Sequence, residues 1–349
     1  MKILITGGTG FLGKFLVHEL APKVEKIYIL VRSKSLNAAR KMFDDFNNVE
    51  FIIGNIRLPD LTDDEDQHKM LLENVDTILH AAAFYDIKGS YADSFLQNVM
   101  GTQNVLYFAS TCKNLKTLHY ISTIAVSGDY QGIFTEDMLE AKQSFYNHYS
   151  KTKYDAELLV RNWNSNNVQC KIYRPGIIVG HSETGEMEKV DGPYFFFSLL
   201  KDIEKSRNPL LSLMKFFPLP YDPKAVIPLI PVDWAAESIA KGVLQNKIIE
   251  DISSYHVFAH ESPSAQEFIN DALRAFGIKT HPIPLPKTRL NPLIMDKVKL
   301  PREILSYMYS RTIFDQKYFD KDVLENEKRT YFDFKDSFFE YAAKRMKYS

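Results

Sequence analysis

Eight residues near the start of the chain constrain its fold more than any other feature. Thr6-Gly7-Gly8-Thr9-Gly10-Phe11-Leu12-Gly13 stands between a short apolar run, Ile3–Thr6, and a helical pattern, Phe11–Leu20. It contains Gly8-x-Gly10-x-x-Gly13 and, in a second register, Gly7-x-x-Gly10-x-x-Gly13. Glycine is required where backbone turns sharply, where it approaches a pyrophosphate, and where a helix packs closely on a strand. The helix start then offers N–H groups to an anion. A strand, this loop and a helix together predict a dinucleotide site, with Gly7, Gly8, Thr9, Gly10, Phe11, Leu12 and Gly13 as contact residues.

The next segments repeat the strand–helix alternation. Lys26–Val31, Val49–Ile53, Thr77–His80, Leu118–Ile121 and Cys170–Tyr173 are short and rich in Ile, Val, Leu or Tyr, as strands are. Their continuous apolar character suits a sheet covered on both faces. Ser94–Ser110 and His148–Trp163 carry apolar residues at helical spacing. Such alternation gives parallel pairing through right-handed crossovers. The fold class is therefore α/β, a doubly wound parallel sheet (Rossmann) with a smaller, discontinuous C-terminal substrate lobe. The expected core is residues 1–180, completed by about 228–260, with 181–227 and 261–349 as the lobe. Later expected elements are a helix at Ala235–Leu244 and a strand near Tyr255–Phe258.

The second expected strand ends Val31-Arg32-Ser33. An acid there would bind the 2′-hydroxyl of NAD, whereas an arginine suits a 2′-phosphate. Arg32 therefore favours NADPH. Further along, Tyr149 and Lys153 stand four apart, on one helix face. A tyrosine, ordinarily near pKa 10, can give a proton near neutrality if a cation favours its phenolate. Lys153 supplies that cation; Lys151 is an alternative, and Tyr146 and Tyr154 flank the site. Ser122 and Thr123 end a strand and point to opposite faces, so one of the two faces the cofactor. Thr123 is preferred.

These segments resemble the extended short-chain dehydrogenase/reductase superfamily. The resemblance rests on Thr6–Gly13, His80-Ala81-Ala82-Ala83, Asn98-Val99-Met100-Gly101-Thr102, Ser122-Thr123, Tyr149/Lys153 and Tyr173-Arg174-Pro175-Gly176. It covers about the first half of the chain, and Pro231-Val232-Asp233-Trp234 looks like a later core element. It implies that Thr123 polarises a carbonyl, Tyr149 gives the proton, and Lys153 holds the nicotinamide ribose. It also implies that Ala81, Ala82 and Ala83 line the cofactor and that Pro175 and Gly176 pass the nicotinamide. Asn98 would join a proton relay or serve packing. Asn55 and Ile56 match the segment that meets adenine, where the family usually has Asp in place of Asn55. Within the superfamily, Leu30-Val31-Arg32 and Gly54-Asn55-Ile56-Arg57-Leu58-Pro59 look most like the thioester reductase and fatty acyl-CoA reductase branch. Steroid and dihydroflavonol-type reductases share several of these cues.

Composition narrows the rest. Lys+Arg 43 against Asp+Glu 44 leaves a net charge of −1, far from the basic excess of a nucleic-acid binder. Two cysteines, Cys112 and Cys170, are too few for a disulfide framework and read as core. No metal-ligand spacing occurs, and no apolar stretch approaches the ~20 residues of a membrane span, so a cytoplasmic protein is expected. Phe195–Phe197, Leu199, Leu200, Leu210, Leu211, Leu213, Met214, Phe216 and Phe217 place much apolar area in the lobe. They fit either a lipophilic substrate, such as an acyl thioester, or the lobe's own core or a homodimer interface. Tyr341–Tyr348 reads as a solvated terminal helix, with peripheral membrane contact as the alternative. The competing functions are an NADPH-dependent reductase of a lipophilic carbonyl, a sugar-nucleotide epimerase or dehydratase, and a non-catalytic NADP-binding regulator.

Overall fold

A computed structural model describes residues 1–85, 89–163, 168–188, 194–205, 216–245, 252–287, 307–325 and 327–348. Its centre is a seven-stranded parallel sheet. The N-terminal part runs β1 (Lys2–Thr6), α1 (Phe11–Leu20), β2 (Lys26–Val31), α2 (Leu36–Met42), β3 (Val49–Ile53), α3 (Glu65–Asn74) and β4 (Thr77–His80). It continues through α4 (Tyr91–Ser94), a π-helical segment (Phe95–Met100), α5 (Gly101–Thr111), β5 (Thr117–Ile121), β6 (Gly132–Phe134), α6 (His148–Arg161) and β7 (Gln169–Pro175). Then come β8 (Ile177–Val179), α7 (Tyr194–Lys205), β9 (Phe216–Pro220), β10 (Leu229–Pro231), α8 (Val232–Leu244) and β11 (Ile252–Val257). The last are α9 (Ala265–Ala275), β12 (His281–Leu285), β13 (Thr312–Phe314), α10 (Lys317–Asp322) and α11 (Lys335–Tyr348).

The sheet order is β11-β7-β5-β4-β1-β2-β3. The order therefore reverses between β1 and β4, and in open α/β sheets the crevice beyond the strand ends at such a point takes the ligand. Registry brings the chemistry to that edge. Thr6 pairs with His80, His80 with Tyr120, and Ile121 with Tyr173. The strands are buried at nearly every one of these positions because helices cover both faces.

The expected strands and helices are present, several with the expected bounds, others a few residues longer, and the helix expected over His148–Trp163 ending at Arg161. The expected helix Ser94–Ser110 is a composite that starts at Tyr91 and loosens into a π-helical turn over Phe95–Met100. Such a turn takes in one extra residue and rotates the helix beyond it. Here the buried Asn98 side chain is turned onto the Phe84 backbone and the Thr152 hydroxyl. α8 ends over the buried strand residue Lys171, whose ammonium donates to the carbonyls of Gly242 and Gln245. A cation there complements the negative end of the helix.

The later segments share an aromatic core. Phe197 is fully buried and meets Phe268, Phe276, Phe338 and Phe339 at centroid distances of 5.5–6.0 Å. Pairs of this kind add ~0.5–1.5 kcal/mol each beyond area burial. Of the apolar residues that fit a substrate, the lobe's core or a dimer interface, Phe197 and Leu200 join Tyr194 in the core, Phe196 both packs there and lines the cavity described below, and Phe216 is exposed. Leu210, Leu211, Leu213 and Met214, and the side chains of Phe195, Leu199 and Phe217, lie outside the described residues. The basic-aromatic tail α11 turns Phe338, Phe339, Ala342 and Ala343 into the same core, which occupies its apolar face. Among the described residues, no helix is long and apolar enough to cross a membrane.

Candidate active site

The glycine loop is shaped by contacts that leave no room for a side chain. Gly7 adopts φ +76°, the region that glycine tolerates and other residues resist. A Cβ on it would lie 2.5 Å from the Ala82 nitrogen. On Gly13 it would lie 2.0 Å from the Gly7 carbonyl oxygen. Gly10 caps α1 in extended geometry and bonds back to the Gly7 oxygen at 3.0 Å. The first turn of α1 therefore opens onto bare backbone, which fits a pyrophosphate approaching closely.

A cavity of about 520 Å³ lies beside this loop at the strand ends. Phe11 and Leu12 of the loop, Ala81 and Ala83 after β4, and Pro175 and Gly176 after β7 line it. So do Thr123, Tyr149 and Lys153. Residues separated by more than a hundred positions in sequence thus share one space. Arg32, Asn55 and Ile56 lie outside it. Arg32 is exposed at the end of β2, with no ion pair among the described residues. Asn55 is half-buried and its Oδ1 accepts from the Arg57 nitrogen at 3.1 Å. Ile56 is buried against Gly101, and its carbonyl accepts from Asn104.

The two adjacent hydroxyls divide as an extended backbone requires. Ser122 is buried and donates to Glu157 at 2.6 Å. Thr123 is less buried and accepts from the Ala125 nitrogen at 3.2 Å, starting a short 3-10 turn. Glu157 is itself gripped by the fully buried Arg174, with Nη2 2.6 Å from Oε1. Burial alone would raise the Glu157 carboxyl, but the charge and hydrogen bonds of Arg174, with Arg161 and Ser122, hold it at about 2.

Lys153 is 2% exposed. Its ammonium donates to Tyr120 Oη at 2.9 Å and to the Ile121 carbonyl at 2.6 Å. Burial brings its pKa down to about 7, opposed by the negative Glu157. Lys151, the alternative cation, pairs with Asp155 near the surface and is absent from the cavity wall. Tyr149 packs edge-on against the Tyr85 ring at 4.8 Å. Tyr146 and Tyr154 turn away, onto Tyr307 and Phe145.

Several wall residues have no counterpart among the sequence motifs. Tyr85, Met187, Val226, Ile227, Met308 and Phe314 are among them. Tyr85 lies just beyond the His80–Ala83 motif, which is the one local signal for it. The others come from lobe segments with no motif. Among the described lining residues the only charged side chain is Lys153. Among the described residues, no group of three or more His, Cys, Asp or Glu is placed to hold a metal ion.

Comparison with known proteins agrees with this geometry. A family model described as male sterility protein, an NAD-binding family, matches residues 5–239. A linear gramicidin synthase of Brevibacillus parabrevis is 26% identical over 76% of this chain and 5% of its own length. Carboxylic acid reductase of Segniliparus rugosus is 26% identical over 80% of this chain and 26% of its own length. Fatty acyl-CoA reductase wat of Drosophila melanogaster is 27% identical over 55% of this chain and 46% of its own length. The chain thus spans less than half the length of these curated relatives. Among solved structures, the terminal R domain from the myxalamid PKS-NRPS biosynthetic pathway superposes with a TM-score of 0.77 and 25% identity, covering 99% of this chain and 90% of that one. MoeE5, solved with UDP-glucuronic acid and NAD, is 16% identical with a TM-score of 0.67 over 99% of this chain and 100% of its own, a likeness of fold. With its glycine loop, its parallel sheet and a match across residues 5–239, the chain belongs to the male sterility protein family and carries that family's NAD(P)-dependent reductase fold.

Proposed function

We propose that this chain is an NADPH-dependent reductase of a lipophilic carbonyl, with an acyl thioester as the foremost substrate and an aldehyde or alcohol as product. The observation that carries this reading is the cavity itself. Thr123, Tyr149 and Lys153 line it together with the apolar Ile177, Ile178, Val226, Ile227 and Phe268. An alkyl chain against such a wall gains ~0.8 kcal/mol per buried CH₂.

The glycine loop, Ala81–Ala83 and Pro175–Gly176 would hold the cofactor, and Arg32 would pair with its 2′-phosphate. The reduced nicotinamide supplies the hydride. Thr123 orients the carbonyl by hydrogen bonding, and Tyr149 gives its oxygen a proton. Lys153 holds the ribose and favours the phenolate that remains. With a thioester, hydride adds to the carbonyl carbon, the C–S bond then breaks, and the thiol leaves with a proton as the aldehyde forms. A second reduction gives the alcohol.

A sugar-nucleotide enzyme would share the fold. A diphosphate, however, calls for cationic partners, and the described cavity wall offers only Lys153. A non-catalytic NADP-binding regulator is disfavoured by the Tyr149/Lys153 pair at the cavity. NADPH oxidation with fatty acyl-CoAs, long-chain aldehydes, hydroxysteroids and UDP-sugars tests the reading. Turnover is expected with the acyl-CoAs or aldehydes. Turnover with UDP-sugars alone, or tight NADPH binding with no turnover, would replace it.

A further inference from the structure

We propose that Tyr120 is a positioning residue for Lys153, fixing where the ammonium stands and how many of its protons remain for the cavity. The inference rests on the proposed cofactor site, which gives Lys153 its partner. An ammonium has three N–H donors and no acceptor. Two are spent inside the protein, on Tyr120 Oη and the Ile121 carbonyl. One is left for the cavity that Lys153 lines. The same nitrogen stands 4.4 Å from the centroid of the Tyr120 ring. Ring and hydroxyl therefore hold the cation together, at a site only 1–2% exposed.

The Tyr120 ring packs on a buried chain whose direction can be worked out. It stands 5.6 Å from the His80 ring, centroid to centroid. The Thr102 hydroxyl has one proton, and it goes to the Asn98 carbonyl at 2.6 Å. Thr102 therefore accepts from His80 Nε2 at 3.0 Å. His80 carries its proton on Nε2, so its Nδ1 accepts from Thr6 Oγ1 at 2.6 Å. Thr6 accepts from the Ala82 nitrogen at 3.3 Å, beside Gly7. Burial brings His80 down to about 3, so it stays neutral and the tautomer is fixed. The His80 ring is thereby fixed against Tyr120, and the Tyr120 oxygen offers its lone pairs to the Lys153 ammonium.

Lys153 titrates among few charges. Tyr120 and the Ile121 carbonyl face it from β5, His80 from β4, and Tyr149 and Glu157 from its own helix. Glu157 stays ionised and His80 neutral between pH 5 and 9. Losing the Tyr120 acceptor makes the buried ammonium costlier, so Lys153 should deprotonate at lower pH.

The test compares wild type, Tyr120→Phe and Tyr120→Met. The NADP⁺ dissociation constant is measured by calorimetry between pH 5 and 9, with kcat and KM alongside. The Tyr120→Phe variant keeps the ring and should fold. Its NADP⁺ affinity at pH 7 should fall about tenfold, the scale of one hydrogen bond to a charged group. The alkaline loss of affinity should begin about one pH unit earlier, and kcat should fall more than KM rises. The Tyr120→Met variant removes ring and hydroxyl together and should shift the profile further. A Tyr120→Phe profile that superimposes on wild type, whatever its melting temperature, would overturn the proposal. If that variant does not fold, an unshifted Tyr120→Met profile does so. Binding is read without turnover. A shifted binding profile in a protein that reduces no carbonyl would sink the reductase reading and leave this inference standing.

Discussion

The Ser122 hydroxyl donates to the Glu157 carboxylate at 2.6 Å, although Ser122, like its neighbour Thr123, lines the cavity. One residue of the pair braces the strand end against Glu157 and Arg174, and the other is free to meet a substrate. The two should therefore fail differently. Ser122→Ala leaves a buried carboxylate short of one donor, which should cost about 1–3 kcal/mol in urea unfolding with turnover kept within a few-fold. Thr123→Val should reduce kcat about 100-fold with a smaller change in unfolding. The reverse pattern would make Ser122 the substrate hydroxyl.

Arg32 stands exposed at the end of β2 with no ion-pair partner among the described residues. If it meets the 2′-phosphate, Arg32→Ala should weaken NADPH binding roughly 10–100-fold and leave NADH nearly unchanged. The fluorescence of bound NADPH and NADH measures both. Equal losses for the two cofactors would remove Arg32 from that role.

Stability should fall steeply in mild acid. Burial brings His80, His119 and His256 down to about 3, with Lys153, Lys171 and Arg174 respectively adding to the effect. Each stays neutral in the fold but binds a proton when unfolded once the pH is below about 6.5. The unfolded chain then holds more protons, so stability drops as pH falls from 6.5 toward 3, by up to about 1.4 kcal/mol per pH unit per histidine. His119→Gln has no proton to gain in this range and can still reach Tyr173. It should flatten the pH dependence of the urea midpoint between pH 6.5 and 5 by about one histidine's share. An unchanged slope would count against a neutral, buried His119.

If an acyl chain lies in this cavity, its apolar wall should set the chain length that fits. Ile227→Trp adds bulk to the cavity that Lys153 also lines. Its kcat/KM should fall at least tenfold for long-chain acyl thioesters and less for short ones, since each excluded CH₂ forfeits ~0.8 kcal/mol. A uniform loss over chain length would mean that the chain lies elsewhere.

Much of this site was legible in local patterns. The glycine loop, Tyr149/Lys153 and Ser122-Thr123 each sit within a few residues, and a sheet with a switch point brings such segments to one edge. What escaped was whatever depends on distant partners. The buried chain from Thr6 through His80 to Thr102, with the Tyr120 ring packed on His80, spans four elements, and no spacing announces it. The apolar run around Phe196 and Phe197 was ambiguous for a different reason. An aromatic side chain looks the same in sequence whether it lines a cavity, as Phe196 does, or fills a core, as Phe197 does.

The reductase account is tested most directly by Tyr149→Phe. NADPH oxidation is followed with a long-chain acyl thioester, and NADPH binding is titrated in parallel. The account predicts that kcat falls about 10²–10⁴-fold, the worth of a positioned general acid, while the dissociation constant for NADPH stays within a few-fold. A variant that turns over like wild type would contradict it.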